Sequence, residues 1–346
     1  MKGRVAALGQ ISGRAAAALV VDGKLEDFLI DPQNDKCPAP GTIFRAICDR
    51  PFKGQGGMML RLPSGSAFLR TAKGLRPGQP LIVQVTGYSE AGKAIPVTSR
   101  ILFKSKYAIV TPGAPGINVS RSIKDDDIRV RLLDIADEMF GDAKDAGLII
   151  RSLAADASDD DVADDIAAMA GLASAVLSDA DGTSAELLVD GADPHTLAWR
   201  DWGSVDAFAD YEDAFSDYGI PDLIETLTMA HVPLPGSAYA FIEPTRALVA
   251  VDVNTGNDTS PAAGLKANIA LARELPRQLR CRGIGGQVTI DFAPFAKKDR
   301  RQLEQVLKSA FRTDPIETAL VGWTPLGHFE IQRKRERLPV EEYLQK

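Results

Sequence analysis

Three residues stand where a β-sheet could do phosphoryl chemistry: Asp252, Asn254 and Asp291. Asp252 lies in Val251-Asp252-Val253-Asn254-Thr255-Gly256, and Asp291 in Val288-Thr289-Ile290-Asp291-Phe292. Each aspartate ends a short apolar run that reads as a buried strand. Open α/β sheets carry their sites at the carboxyl ends of such strands. A carboxylate there is costly unless it meets a cation or hydrogen-bond donors. Two carboxylates with open remaining positions suit Mg²⁺, which keeps several waters and binds substrate phosphate. Such an ion polarises a phosphoryl oxygen and activates water as a nucleophile. Asn254, two residues after Asp252, falls on the same strand face and could orient a carboxylate or a scissile phosphate. Gly256 would let backbone approach closely. The structural alternative is that both aspartates are strand-end caps or ion-pair partners.

Basic residues cluster around these segments. Arg273, Arg277, Arg280 and Arg282 accompany one expected helix, and Lys297, Lys298, Arg300 and Arg301 open the next. Arg333, Lys334, Arg335 and Arg337 follow. Repeated Lys and Arg beside a metal site suit a polyanionic substrate. The net charge of −7 hides this pattern. Residues 156–225 hold 19 Asp and Glu against one basic residue, Arg200, so the remainder carries +11. A solvated acidic face with ordinary flanks would read the same way.

The elements that must position these residues are legible in outline. Residues 15–21 and 25–30, joined by Asp22-Gly23, read as a hairpin. The segment 34–41 is a polar, Pro-rich break. From Thr42 to Val110, short strands are expected at 43–49, 58–62, 67–70, 81–88 and 95–103, with turns such as Arg76-Pro77-Gly78 and Glu90-Ala91-Gly92. About five strands in ~70 residues suggests a small Greek-key barrel of the OB type. Such barrels bind single strands through exposed aromatic and basic residues, here Phe68 and Lys93. Phe68 could equally be core. Helices are expected at 125–139, 159–176 and 223–230, with short strands at 147–151 and 186–190; 205–218 reads as helix and loop. Asp159, Asp160 and Asp161 suit the start of a helix better than a metal site. Strands at 247–253 and 287–292 flank a helix at 262–280, with Ser260-Pro261 at its start and Pro276 expected to break it. A helix at 299–312 follows. Strand, helix and strand make a βαβ-like unit, hence a mixed α/β protein.

At 346 residues, about two domains or several small ones are expected. A hydrophobic content of 45% excludes disorder over the whole chain. There is no apolar run of about 18 residues, so no membrane span is expected. The apolar stretch at 5–8 is too short for a signal peptide. Three cysteines without a CxxC pair argue against a disulfide framework or zinc site and fit a reducing cytoplasm.

The stretch 247–256, Asn268, and Arg277-Gln278-Leu279-Arg280-Cys281-Arg282-Gly283-Ile284-Gly285-Gly286-Gln287 through Phe292 together resemble the catalytic core of the ribonuclease E/G family. Leu234-Pro235-Gly236-Ser237 and Leu326-Gly327-His328-Phe329 through Arg335 fit it too, so that 232–338 matches closely. Residues 20–25 resemble the family's opening hairpin, 42–110 its inserted barrel, and Gly147 through Ser152 its 5′-end sensor motif.

The resemblance implies a multidomain α/β (α+β) architecture. Its parts would be an RNase H-like part at 1–36 and 179–232, an OB-fold barrel at 37–110, a 5′-sensor-like part at 111–178 and a DNase I-like catalytic part at 233–346. It implies Asp252 and Asp291 as Mg²⁺ ligands, Asn254 at the scissile phosphate, and Arg151 and Ser152 as readers of a 5′-phosphate. RNA contacts are expected at Phe68, Lys93, Arg277, Arg280, Lys297 and Lys298. The implied reaction is hydrolysis of single-stranded RNA by a metal-activated water, leaving 5′-phosphate products, in RNA processing or decay.

The chain departs from the family pattern in places. Met58 stands where the barrel's RNA platform has an aromatic, and Pro325 stands where a second sensor arginine would be. Asn257, Asp258 and Thr259 replace basic residues after Gly256. No CPxC zinc link follows Leu338, so a zinc-linked tetramer is not expected, while a homodimer stays open. The rival reading is a catalytically weak RNA-binding protein on the same scaffold. A phosphatase or a nuclease for other phosphate esters fits less well, because it would leave the barrel without a purpose.

Overall fold

The computed structural model describes all residues except Met1, 33–36, Lys53, Gln55, Ala91, 142–144 and 342–346. Part of the expected break at 34–41 and the middle of the Glu90-Ala91-Gly92 turn therefore lie outside the described residues. The chain forms two compact units: Asn34–Ser204, and Met1–Gln33 together with Val205–Lys346. The protein is mixed α/β and contains a closed five-stranded barrel.

The barrel belongs to the unit Asn34–Ser204. Ile43–Phe52, Gly57–Arg61, Ser66–Leu69, Ile95–Thr98 and Pro80–Val85 pair in that order, and the last returns to the first. Leu60, Ala67, Val83 and Ile95 are among the side chains that fill it. Met58, 1% exposed, is a core residue as well. The expected final strand stops early, at Thr98; Phe103–Lys104 instead joins a second sheet with Ala108–Pro112, Ala146–Ile150 and Gly116–Val119. Helices Asp126–Phe140 and Asp159–Ser178 share a core with that sheet. Asp125 and Ser158 cap them, each accepting backbone N–H groups. Asp159, Asp160 and Asp161 occupy the first turn of the second helix, where the helix dipole favours acids. A helix that sequence reading did not find, Pro194–Asp201, is capped by Asp193.

In the other unit, the N-terminal segment supplies three strands, Arg4–Ile11, Arg14–Val21 and Lys24–Ile30, where two were expected. Ser12-Gly13 and Asp22-Gly23 both have positive φ, the type I′ geometry that suits two-residue hairpins. Ala207–Ala209 adds parallel to the first strand, so the expected helix and loop at 205–218 begins as a strand.

A six-stranded sheet forms the rest. Its order is His231–Pro233, Tyr239–Pro244, Val249–Asn254, Gly286–Asp291, Phe329–Arg333, Thr318–Trp323. Val249–Asn254 and Gly286–Asp291 are parallel and joined by the helix Ala263–Cys281, as a βαβ unit requires. That helix runs unbroken through Pro276. An internal proline costs ~3 kcal/mol, but the helix buries Leu271, Leu275, Pro276 and Leu279, and tertiary packing offsets the lost bond. The helix starts at Ala263 with Ala262 at its cap position, later than Ser260-Pro261 suggested. The two buried cysteines, Cys48 and Cys281, form no disulfide. Burial pushes the Cys48 and Cys281 thiols up, Cys281 to about 12, so both pack as apolar residues rather than nucleophiles.

Candidate active site

Along Val249–Asn254 and Gly286–Asp291 the side chains alternate. Val251, Val253, Val288 and Ile290 enter the core beneath helices Ala263–Cys281 and Arg300–Thr313. Asp252 and Asp291 turn to the opposite, exposed face, and the parallel register sets them directly beside each other. Asn254 donates from Nδ2 to Asp252 Oδ2 at 2.8 Å. The three residues expected to do chemistry therefore meet on one surface.

The surrounding loops are fixed from beneath. Gly256 has φ +60°, and a Cβ there would lie 2.0 Å from the Ser237 carbonyl oxygen. The Ser237 hydroxyl donates to the Thr255 carbonyl and accepts from the Asn257 N–H. Asn268, fully buried, donates to the Ala293 carbonyl and accepts the Ala293 N–H, which pins the chain just past Asp291. His328, not expected near the site, brings Nε2 to 3.8 Å from Asp291 Oδ1. Its position one residue before Phe329 was the available signal, but its strand neighbour was not. Among the described residues, no group of three or more His, Cys, Asp or Glu side chains is gathered for a metal. Two hard oxygen donors and open water positions remain the donor set, which fits Mg²⁺ better than a fully protein-caged ion.

The basic residues divide. Lys297 and Lys298 are exposed in a turn six and seven residues beyond Asp291. Arg277 and Arg280 are engaged by partners within the protein. Arg277 is held by Glu274 and the Leu25 carbonyl. Arg280, 6% exposed, pairs with Glu26 and Asp314, with Asp27 close by. Both tie the strand Lys24–Ile30 to the helix Ala263–Cys281. Nearby carboxylates keep Arg280 charged against the cost of burial.

In the barrel unit, Phe68 is half-buried over Gly57, where a Cβ would lie 2.5 Å from its ring. Phe52, 43% exposed, meets Phe68 edge-on at 5.6 Å. Phe52 thus lies at the end of the strand that neighbours Met58 and places a second ring beside Phe68. Lys93 is exposed and pairs with Glu90 at 2.6 Å. Phe52→Ala is expected to weaken RNA binding, since an aromatic stack contributes ~1–3 kcal/mol per base. The fold should survive. A variant that binds labelled RNA like the parent would remove this pair from the interface.

Arg151 reaches Asp201 at 2.7 Å and also donates to the Ser105 and Arg200 carbonyls. Lys104 and Arg200 meet the same carboxylate, each at 2.8 Å. Burial opposes ionisation of Asp201, yet hydrogen bonds and charge from Arg200 and Lys104 hold it well below the usual carboxylate range. Ser152 is exposed next to Arg151.

The profile of the Ribonuclease E/G family matches residues 103–206 and 201–336. The chain belongs to this family. Ribonuclease G of Salmonella typhimurium (strain SL1344) is 28% identical to it over 311 residues, 78% of this chain and 62% of that protein. Ribonuclease G of Escherichia coli (strain K12) is 27% identical over the same coverage. Ribonuclease E of Nostoc sp. (strain PCC 7120 / SAG 25.82 / UTEX 2576) is 26% identical over 302 residues, 76% of this chain and 44% of that protein. The chain thus spans 62% of these ribonuclease G proteins and 44% of this ribonuclease E. No helix among the described residues is long and apolar enough to cross a membrane.

Proposed function

We propose that this member of the ribonuclease E/G family is an Mg²⁺-dependent endoribonuclease that cleaves single-stranded RNA in RNA processing or decay. The observation that carries the reading is the pairing of Asp252 with Asp291 on the open sheet face, with Asn254 bonded to Asp252. Like charges directly across a sheet are destabilising, so a site that needs both is the simplest reason for the pair. When bound there, Mg²⁺ would supply Lewis-acid polarisation of the phosphodiester and activation of the attacking water. Asp252 and Asp291 would hold the ion. Asn254 would fix the Asp252 carboxylate and hydrogen-bond the phosphate. Lys297 and Lys298 would attract the backbone, and Phe68, Phe52 and Lys93 would grip the strand in the barrel. The finer parts belong to this reading too: the RNase H-like, OB-fold, 5′-sensor-like and DNase I-like regions, 5′-phosphate products and a cytoplasmic location.

The test is direct. Purified protein is incubated with labelled single-stranded RNA with and without Mg²⁺, and cleavage should appear only with the ion. RNA that is bound but never cut would favour the rival, an RNA-binding protein on the same scaffold. The sequence Asn257-Asp258-Thr259 after Gly256 is what favours that rival.

Arg151 and Ser152 would read a 5′-phosphate only if the phosphate displaced Asp201 from Arg151. Pro325 adds no second arginine. One lost charge-assisted hydrogen bond costs roughly 1.5–3 kcal/mol. Cleavage is therefore expected to discriminate weakly between 5′-monophosphate and 5′-hydroxyl RNA. Asp201→Asn should raise the preference by freeing Arg151. Comparing kcat/KM on substrates that differ only at the 5′ group checks both statements. A strong preference in the parent protein would show that Asp201 yields readily.

A further inference from the structure

Four adjacent strands carry one row of facing residues. His231 pairs with Phe241, Phe241 with Asp252, and Asp252 with Asp291. In the neighbouring row Tyr239 pairs with Asn254. Directly paired residues emerge on the same face, so the three rings share the surface that carries the aspartates. Their strand neighbours Val232, Ala240 and Ile242 supply the core instead.

The rings form a corner. His231 and Tyr239 lie 5.2 Å apart with planes 33° from parallel, while Phe241 stands edge-on to Tyr239 at 5.6 Å and 81°. His231 is exposed, and Tyr239 and Phe241 are half-exposed. Adjacent strands lie ~4.8 Å apart, so Phe241 is one strand spacing from the Asp252 carboxylate. A ligand whose phosphate sits at the aspartates presents its next flat, apolar group to this corner. In RNA that group is a base.

We propose that His231, Tyr239 and Phe241 form a stacking seat for the base beside the phosphodiester held at Asp252 and Asp291. This rests on RNA being the ligand. Rings stack on any base through its π-face, so the seat demands a base without fixing which one.

The experiment uses the full chain in EDTA, so that binding is read without cleavage. Single-stranded RNA 12-mers carry 2-aminopurine at one position at a time. A position that stacks on the corner changes its fluorescence on binding, and one or two adjacent positions should do so. The Tyr239→Val/Phe241→Val variant keeps β-branched side chains that suit a strand. It should melt like the parent, lose that local signal and bind about tenfold more weakly, as loss of a base stack implies. An RNA abasic at the same position should show a matching loss with the parent protein. Unchanged affinity and signal in the variant would overturn the seat while leaving the cleavage reading intact. The seat is equally overturned if the rings prove to be a self-association surface, with sedimentation showing a dimer that the variant breaks and RNA binding unaffected. If the parent binds no RNA, the RNA reading falls and the seat with it.

Discussion

Asp252→Asn and Asp291→Asn are each expected to abolish RNA cleavage while RNA binding at moderate salt persists. Either change removes one of two carboxylates that sit side by side, and no third acid among the described residues is gathered to replace it. Metal stabilisation of a phosphoryl transition state is worth several kcal/mol, and each 1.36 kcal/mol is tenfold in rate, so about a thousandfold loss or more follows. Binding should survive because most phosphate contacts fall to basic residues elsewhere. Stability gives an independent check. Relief of the cross-strand repulsion should leave each variant as stable as the parent or more so, by ~0.2–1 kcal/mol. If the aspartates were structural caps, the same substitutions would lower the melting temperature. Normal turnover by either variant would dismiss the site.

The second large effect concerns stability. Asp314, with its side chain 1% exposed, accepts from Arg280 and from Arg333, whose side chain is fully buried. Burial pushes the Arg333 guanidinium down and Asp314 resists that shift; arginine nevertheless stays charged. Nε and Nη2 of Arg333 find no partner among the described residues, so Asp314 and the Thr318 hydroxyl carry its compensation. Asp314→Ala would leave the buried Arg333 without its carboxylate and take one of several acidic partners from Arg280, and breaking such a network costs ~3–5 kcal/mol. Urea unfolding should show a large drop in midpoint. An unchanged midpoint would mean that water reaches these guanidinium groups. Arg280→Ala belongs to the same group and should lose RNA affinity only in step with lost stability.

The sequence made some of this legible and hid the rest for definable reasons. Asp252 and Asp291 could be found because apolar alternation locates strand ends, and the helix between them forces parallel neighbours. The barrel was readable from turn spacing. The third N-terminal strand was missed because Ser12-Gly13 is a weaker turn signal than Asp22-Gly23. The intramolecular partners of Arg280, Glu26 and Asp314, were hidden because they lie far away in sequence, and helix phase alone does not say whether an arginine faces solvent or a buried carboxylate. Phe52 escaped because its contact with Phe68 reaches over Gly57 on the strand between them. The row from His231 to Asp291 depends on register between four strands, which local pattern does not encode.

The split of one unit into Met1–Gln33 and Val205–Lys346 has a consequence for biosynthesis. The strand Lys24–Ile30 leaves the ribosome long before Arg277, Arg280 and Arg337, to which it is tied across 252, 254 and 310 residues of chain. At ~5–20 residues per second, the wait is roughly 15–60 s. During it the intervening Asn34–Ser204 unit is complete and can fold alone. The N-terminal hairpins meanwhile keep apolar side chains such as Leu25 and Phe28 without their final cover. The nascent chain thus carries an uncovered apolar segment through much of its synthesis, an exposure that belongs to the order of synthesis and not to the mature protein.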